Sequence, residues 1–302
     1  MKQLKDVKIL VVGDIMLDKY IVGDVNRISP EAPVPVVNVT NEYYTLGGCG
    51  NVAKNVASIG AQTACVGICG SDNGYNLIHN YLSDFEIKVG LAVDGRPTTI
   101  KERIISSNRH TQMLRIDRER TDDVSASKII SEINFITHLK NFSPDIIIVS
   151  DYNKGVITRD LMEFLEAMSI KIIIDPKPEH QHLYNKCYAI TPNEQEYRMM
   201  NIWENTEFKN IIVTRGKDGI SILRSEDERG VIEIPGYEAY VFNVTGCGDV
   251  VVSVLAVCVA MGMPIKRSAQ IANRCAAYTA TLPGTSLITK DQFEQFSGIP
   301  ME

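Results

Sequence analysis

Unbroken apolar runs at residues 9–12, 64–68, 146–149, 172–174, 211–213 and 220–223 recur along the chain, each bounded by turn formers. Runs this short and continuous predict strands buried on both faces, as in a largely parallel sheet. Between them, residues 51–59, 74–82, 126–139, 159–167 and 193–200 carry apolar positions at helical spacing. Such alternation of strand and helix predicts a doubly wound α/β core. Two stretches, 19–45 and 93–118, instead alternate polar with apolar residues and read as half-exposed strands of one small sheet, a lid inserted in a single domain spanning 1–302. Pro30, Pro33 and Pro35 fit that reading, because proline is confined to sheet edges and turns.

The longest apolar run, 250–263, predicts a buried helix, and directly before it stands Asn243-Val244-Thr245-Gly246-Cys247-Gly248-Asp249. A helix opening at Gly248 or Asp249 would turn the N–H groups of Gly246, Cys247 and Gly248 toward one point, at the positive end of the helix dipole. Such a point binds anions. Asp249 there fits either of two roles, a plain N-cap or a general base set beside the anion.

Composition narrows the function. A net charge of −6 over 302 residues argues against a nucleic-acid or membrane-surface binder and makes any phosphate site a local one. The seven cysteines are scattered with no C-x-x-C pair, as expected of reduced thiols in the cytosol, and no signal peptide or apolar run of membrane-spanning length is visible. The histidines, His79, His110, His138, His180 and His182, form no metal-binding spacing with cysteine, so a structural zinc site is not expected.

Residues just past the carboxyl ends of parallel strands are where open α/β sheets bind ligands. Asp14 and Asp18 follow the first strand, and Asp14 suits a hydroxyl-rich ligand or a simple turn. Gly47 and Gly48 precede a helix that Asn51 is placed to cap. Ser150-Asp151-Tyr152-Asn153-Lys154 and Asp175-Pro176-Lys177 each put a lysine beside an acid. Asn193 and Glu196 form a capping-box pattern, and Thr214 to Gly219 reads as a turn between strands. Cys247, at a helix start, is either an activated thiol or a packing residue.

Taken in order, these segments resemble the ribokinase-like (PfkB) carbohydrate kinases, whose C-terminal signature runs roughly D-T-x-G-A-G-D. Within that family the chain looks most like the D-glycero-β-D-manno-heptose 7-phosphate kinases, through residues 11–18 and the string Arg27-Ile28-Ser29-Pro30-Glu31-Ala32-Pro33-Val34-Pro35-Val36. Gly284-Thr285-Ser286 is a further match. The resemblance implies a ribokinase-like doubly wound, mostly parallel sheet flanked by helices, with a small β-sheet lid. It also implies transfer of the ATP γ-phosphate to the C1 hydroxyl of heptose 7-phosphate, on the route to ADP-heptose and lipopolysaccharide core, with Mg2+ as cofactor.

Carried onto this sequence, the resemblance makes Asp249 the base, with Gly246, Cys247 and Gly248 as the anion hole. Asp14, Gly47, Gly48 and Asn51 fall on the sugar side, with Arg103 and Lys177 as phosphate candidates. Asn193, Glu196, Thr214 and Gly216 fall on the nucleotide side, Glu196 nearest the magnesium waters. No metal is expected to sit in a cage of protein ligands. A cytoplasmic homodimer joined through the lid is implied, with adenylylation left to a separate nucleotidyltransferase. Asn243 and Cys247 depart from the signature, the first by losing a charge.

Overall fold

In the computed structural model, residues 2–108, 111–201, 207–237, 240–282, 284 and 286–298 are described. His110 and Thr285 lie outside them. The chain opens with β1 (Lys8–Gly13) and a long hairpin, β2 (Ile15–Ile28) and β3 (Pro35–Gly48), followed by α1 (Cys49–Ile59), β4 (Gln62–Cys69), α2 (Asn73–Ser83) and β5 (Lys88–Val93). Next come β6 (Ile100–Ser106), β7 (Thr111–Arg118), α3 (Ala126–Asn134), β8 (Ile146–Ser150), α4 (Arg159–Ala167), β9 (Lys171–Asp175), β10 (Lys186–Ile190) and α5 (Glu194–Met199). The remainder is β11 (Glu207–Thr214), β12 (Ile220–Arg224), β13 (Ile232–Ile234), α6 (Cys247–Ala260), α7 (Ile265–Ala280) and α8 (Lys290–Ser297).

Nine strands form the main sheet in the order β13-β12-β11-β10-β9-β8-β1-β4-β5. Pairing is parallel from β11 to β5, whereas β12 and β13 add antiparallel at one edge. Alternate residues of β1 serve opposite cores: Ile9 and Val11 pack with α1, α6 and α7, and Leu10 and Val12 pack with α3 and α4. Burial on both faces is why these strands read as continuous apolar runs. Helix α6 is apolar all round and buried from Asp249 to Val259 between α1 and α7. Among the described residues no helix is long and apolar enough to cross a membrane.

The lid is a four-stranded sheet, β3-β2-β6-β7, with wider bounds than its polar alternation suggests. Strands β2 and β3 run back to Ile15 and forward to Gly48, because their roots (Ile15, Met16, Leu17, Leu46) are buried in the core and so lack the half-exposed pattern. Residues 93–99 are not lid strand; Val93 ends β5 of the main sheet. The helix read over 126–139 is α-helical only to Asn134 and continues as a wider π turn over Phe135–Leu139, where Lys140 N–H donates to Phe135 O.

The chain leaves β1 for β4 and β5 on one side and returns to β8 to β11 on the other. The switch point is therefore between β1 and β8, and the crevice beyond their carboxyl ends receives Asp14 and the turn Asp151 to Gly155.

Candidate active site

Helix α6 aims its N-terminus into this crevice. It opens at Cys247, earlier than Gly248 or Asp249, because Gly246 takes the left-handed conformation (φ 82°) and serves as N-cap while Val250 N–H donates to Gly246 O at 3.0 Å. The earlier start changes the anion cradle. Cys247 N–H is already donated to Val244 O at 3.2 Å, whereas Gly248 and Asp249, at the second and third helical positions, have N–H groups without intrahelical acceptors.

Asp249 is only 6% exposed, and two side chains from distant elements hold its carboxylate. Asn51 Nδ2 donates to Oδ2 at 2.6 Å, and Tyr152 Oη donates to Oδ1 at 2.9 Å. Burial raises its pKa to about 6; the bonds from Asn51 and Tyr152 oppose that rise, Asp18 adds to it and Lys177 opposes it. A carboxylate poised there is ionised at neutral pH yet basic enough to accept a proton.

Asn51 does not cap its helix. The cap position belongs to Gly48 (φ 57°), where a Cβ would stand 2.1 Å from Asp14 O, and Asn51 sits inside α1 facing Asp249. Its Oδ1 is buried with no hydrogen-bond partner, an acceptor left open in the crevice. Gly47 also faces this crevice: a Cβ there would meet Asp18 Oδ2 at 3.0 Å.

Asp14 is 1% exposed, so it is not a solvated turn acid. Oδ2 accepts from Tyr152 N–H (2.8 Å) and Lys154 N–H (3.1 Å), and Oδ1 from Val156 N–H (3.1 Å), so it clamps the turn after β8. Asp18, by contrast, lies on the lid near Asp249 and pairs with Arg103 Nη1 at 2.5 Å.

The two phosphate candidates are both engaged. Arg103 is held by Asp18 and stacks over Tyr20, with 5.5 Å from guanidinium carbon to ring centre. Lys177 donates to Glu196 Oε1 at 2.5 Å and lies over the Tyr152 ring at 5.5 Å. Burial works against its ammonium, but Glu196 outweighs burial and raises the pKa. Lys177 thus links Glu196 on α5 to Tyr152 in the turn after β8.

On the nucleotide side, Asn193 and Glu196 form the capping box of α5: Asn193 Oδ1 accepts from Glu196 N–H at 2.9 Å, and Glu196 Oε2 accepts from Asn193 N–H at 3.0 Å. With Oε1 on Lys177, both Glu196 oxygens are engaged within the chain. Asn193 forms a parallel bridge with Thr214, and Gly216 follows on an open turn. Burial, with Asp249 next, pushes the Asp175 carboxyl well up. Among the described residues no three metal-ligating side chains converge. Asp175 and Glu196, both close to Lys177, are hard oxygen donors of the kind a hydrated divalent cation takes.

Cys247 is a packing residue. Burial raises its thiol pKa, and Sγ lies 3.7 Å from Ala276 O, the opposite of an activated thiolate. Asn243 Oδ1 accepts from Thr245 N–H at 2.9 Å and Nδ2 donates to Gly284 O, so it braces the loop before α6 without a charge.

The sequence places Asp18 and Tyr152 just past strand ends without assigning either a partner, and it does not show the cluster in which Asp151 Oδ2 accepts from Tyr184 Oη (2.5 Å) and bonds His180 Nδ1 (2.7 Å). Asp151 raises the His180 pKa through that bond. The available signal was the Asp-Tyr pair directly after a buried strand.

A model of the pfkB family of carbohydrate kinases matches residues 6–292. The chain is 37% identical over 311 residues to a bifunctional protein HldE of Desulfatibacillum aliphaticivorans, covering 95% of this chain and 62% of that protein. An HldE of Geobacter sulfurreducens is 34% identical over 305 residues, covering 93% and 61%. The chain therefore spans less than two thirds of these relatives. Among solved structures, phosphofructokinase-2 from Escherichia coli in complex with fructose-6-phosphate matches with a TM-score of 0.75 at 17% identity, over 97% of this chain and 98% of that one. Ribokinase from Thermotoga maritima matches with a TM-score of 0.73 at 19% identity, over 97% and 100%. These two likenesses show the ribokinase-like fold. The family match over nearly the whole chain shows that it belongs to the pfkB family of carbohydrate kinases, as an ATP-dependent sugar kinase.

Proposed function

We propose that the protein transfers the γ-phosphoryl group of ATP to the C1 hydroxyl of D-glycero-β-D-manno-heptose 7-phosphate, giving the 1,7-bisphosphate. One observation carries the chemistry: Asp249, buried at the N-terminus of α6, has each oxygen fixed by a separate side chain. Its carboxylate accepts the proton of the acceptor hydroxyl as the new O–P bond forms and the bond from the γ-phosphorus to the bridging oxygen breaks. The N–H groups of Gly248 and Asp249 at the helix start offset negative charge on the transferring group. Since phosphoryl transfer passes through a loose transition state, placement and charge neutralisation supply most of the rate. Asp175 and Glu196 would hold Mg2+ through its waters, and the ion would supply neutralisation of phosphate charge.

The choice of heptose 7-phosphate rests on the strings at 11–18 and 27–36 and on two cations, Arg103 on the lid and Lys177 after β9. A second reading, a different sugar or sugar phosphate, is favoured by one fact: both cations are already neutralised by Asp18 and Glu196. Purified protein given MgATP and, separately, heptose 7-phosphate, fructose 6-phosphate or ribose separates the two. ADP release with heptose 7-phosphate at a kcat/KM at least tenfold above the others supports the first reading, and a different preferred sugar replaces it.

The same reading makes the protein a cytoplasmic dimer through its lid, where Val39, Tyr43 and Leu114 are exposed, with a nucleotidyltransferase consuming its product. Sedimentation of the wild type and of Leu114→Glu tests the dimer.

A further inference from the structure

We propose that Tyr152 is a positioning residue for the phosphoryl transfer, its phenol holding one oxygen of Asp249 so that the carboxylate meets the acceptor hydroxyl ionised and in a fixed orientation. The inference rests on the reading of Asp249 as the base.

Tyr152 is fixed at both ends. Its backbone N–H donates to Asp14 Oδ2 at 2.8 Å, which ties the main chain to the end of β1. Its hydroxyl donates to Asp249 Oδ1 at 2.9 Å, and Asn51 on α1 holds the other oxygen. Lys177, after β9, places its ammonium over the ring at 5.5 Å while paired with Glu196. The phenol thus stands between the base and the ion pair on the nucleotide side. Neither a turn residue nor a core aromatic needs that bond, since the ring alone would fill the space.

The groups facing Asp249 are Cys49 and Asn51 from α1, Asp18 from β2, Tyr152 after β8, Asp175 and Lys177 at and after β9, and Cys247 on its own helix. Of these, Asn51 and Tyr152 donate hydrogen bonds to the carboxylate. A donor to the ionised form favours that form, so removing the phenol oxygen weakens the ionised state of Asp249 while leaving the ring in place.

The test is Tyr152→Phe. We expect the acid limb of kcat/KM to move to higher pH by about one unit and kcat to fall about tenfold, in line with one lost charge-assisted hydrogen bond, while KM for the sugar changes less. A second measurement needs no substrate: titration of the Asp249 carboxyl by 13C NMR should show the same rise. Should Tyr152→Phe fail to fold, 3-fluorotyrosine at position 152, a stronger donor of the same shape, is expected to move the limb and the titration to lower pH. A titration and limb unchanged in these variants overturns the inference. A wild type that phosphorylates none of the sugars overturns the functional reading instead, and the carboxyl titration still decides the role of Tyr152.

Discussion

Asp14 and Asp249 are both buried and both pushed up to about 6, yet their partners differ in kind. Asp14 accepts three backbone N–H groups from the single turn Tyr152 to Val156. Asp249 accepts from two side chains, Asn51 and Tyr152, which come from elements far apart in sequence. Backbone donors fix a loop, and all of Asp14's bonding serves that end. Side-chain donors gathered from separate elements fix one carboxylate while leaving lone pairs for a ligand. The elevated pKa is therefore common to both acids, and the origin of their hydrogen bonds is what distinguishes them.

The sharpest way to break this contrast is to exchange the outcomes of two substitutions. Asp249→Asn should lower kcat by about 10³-fold, within the usual worth of a positioned base, with an unfolding free energy equal to or above that of the wild type because a buried charge is removed. Steady-state ADP release and urea unfolding report the two quantities. Asp14→Ala should do the reverse and reduce stability by about 3 kcal/mol through unpaired backbone donors. Its residual activity per folded molecule should remain within about tenfold of the wild type. An Asp14 variant that is fully stable but inactive would return Asp14 to the sugar side.

A third expectation concerns pH. The free-enzyme limb of kcat/KM should rise through about 6 as Asp249 loses its proton. Stability should run the other way. Because the folded pKa of each acid exceeds its unfolded value of 3.8, the folded state binds more protons between about 4 and 6, and stability falls as pH rises through that window. Asp249→Asn should flatten that fall, measured by urea unfolding at successive pH values.

The smallest effect expected is at Asn243. Asn243→Asp keeps the acceptor for Thr245 N–H and should change turnover and magnesium dependence by less than about twofold. A larger change would show that the lost charge matters to the cation.

Strands buried on both faces and the uniformly apolar α6 were legible because burial writes itself as continuous hydrophobicity. β10 escaped notice, since Lys186-Cys187-Tyr188-Ala189-Ile190 holds a single β-branched residue, and so did β5, broken by Gly90. Helix α7 also escaped, its alanines and polar residues giving a weak apolar stripe. At the site, Asp249 and the glycines before it could be read from one local motif. Tyr152 and Asp18 could not, because their roles come from residues that are distant in sequence and meet only in the fold.

By itself, the sequence determined the alternation of elements, the presence of a buried helix behind a glycine turn, and the acid in its first turn. These are local properties, set by periodicity and by glycine at one backbone position. Only the tertiary structure decided which carboxylate is held by backbone donors and which by side chains. That choice depends on what the β1–β8 switch point, α1 and the turn after β8 bring within hydrogen-bonding distance of each acid.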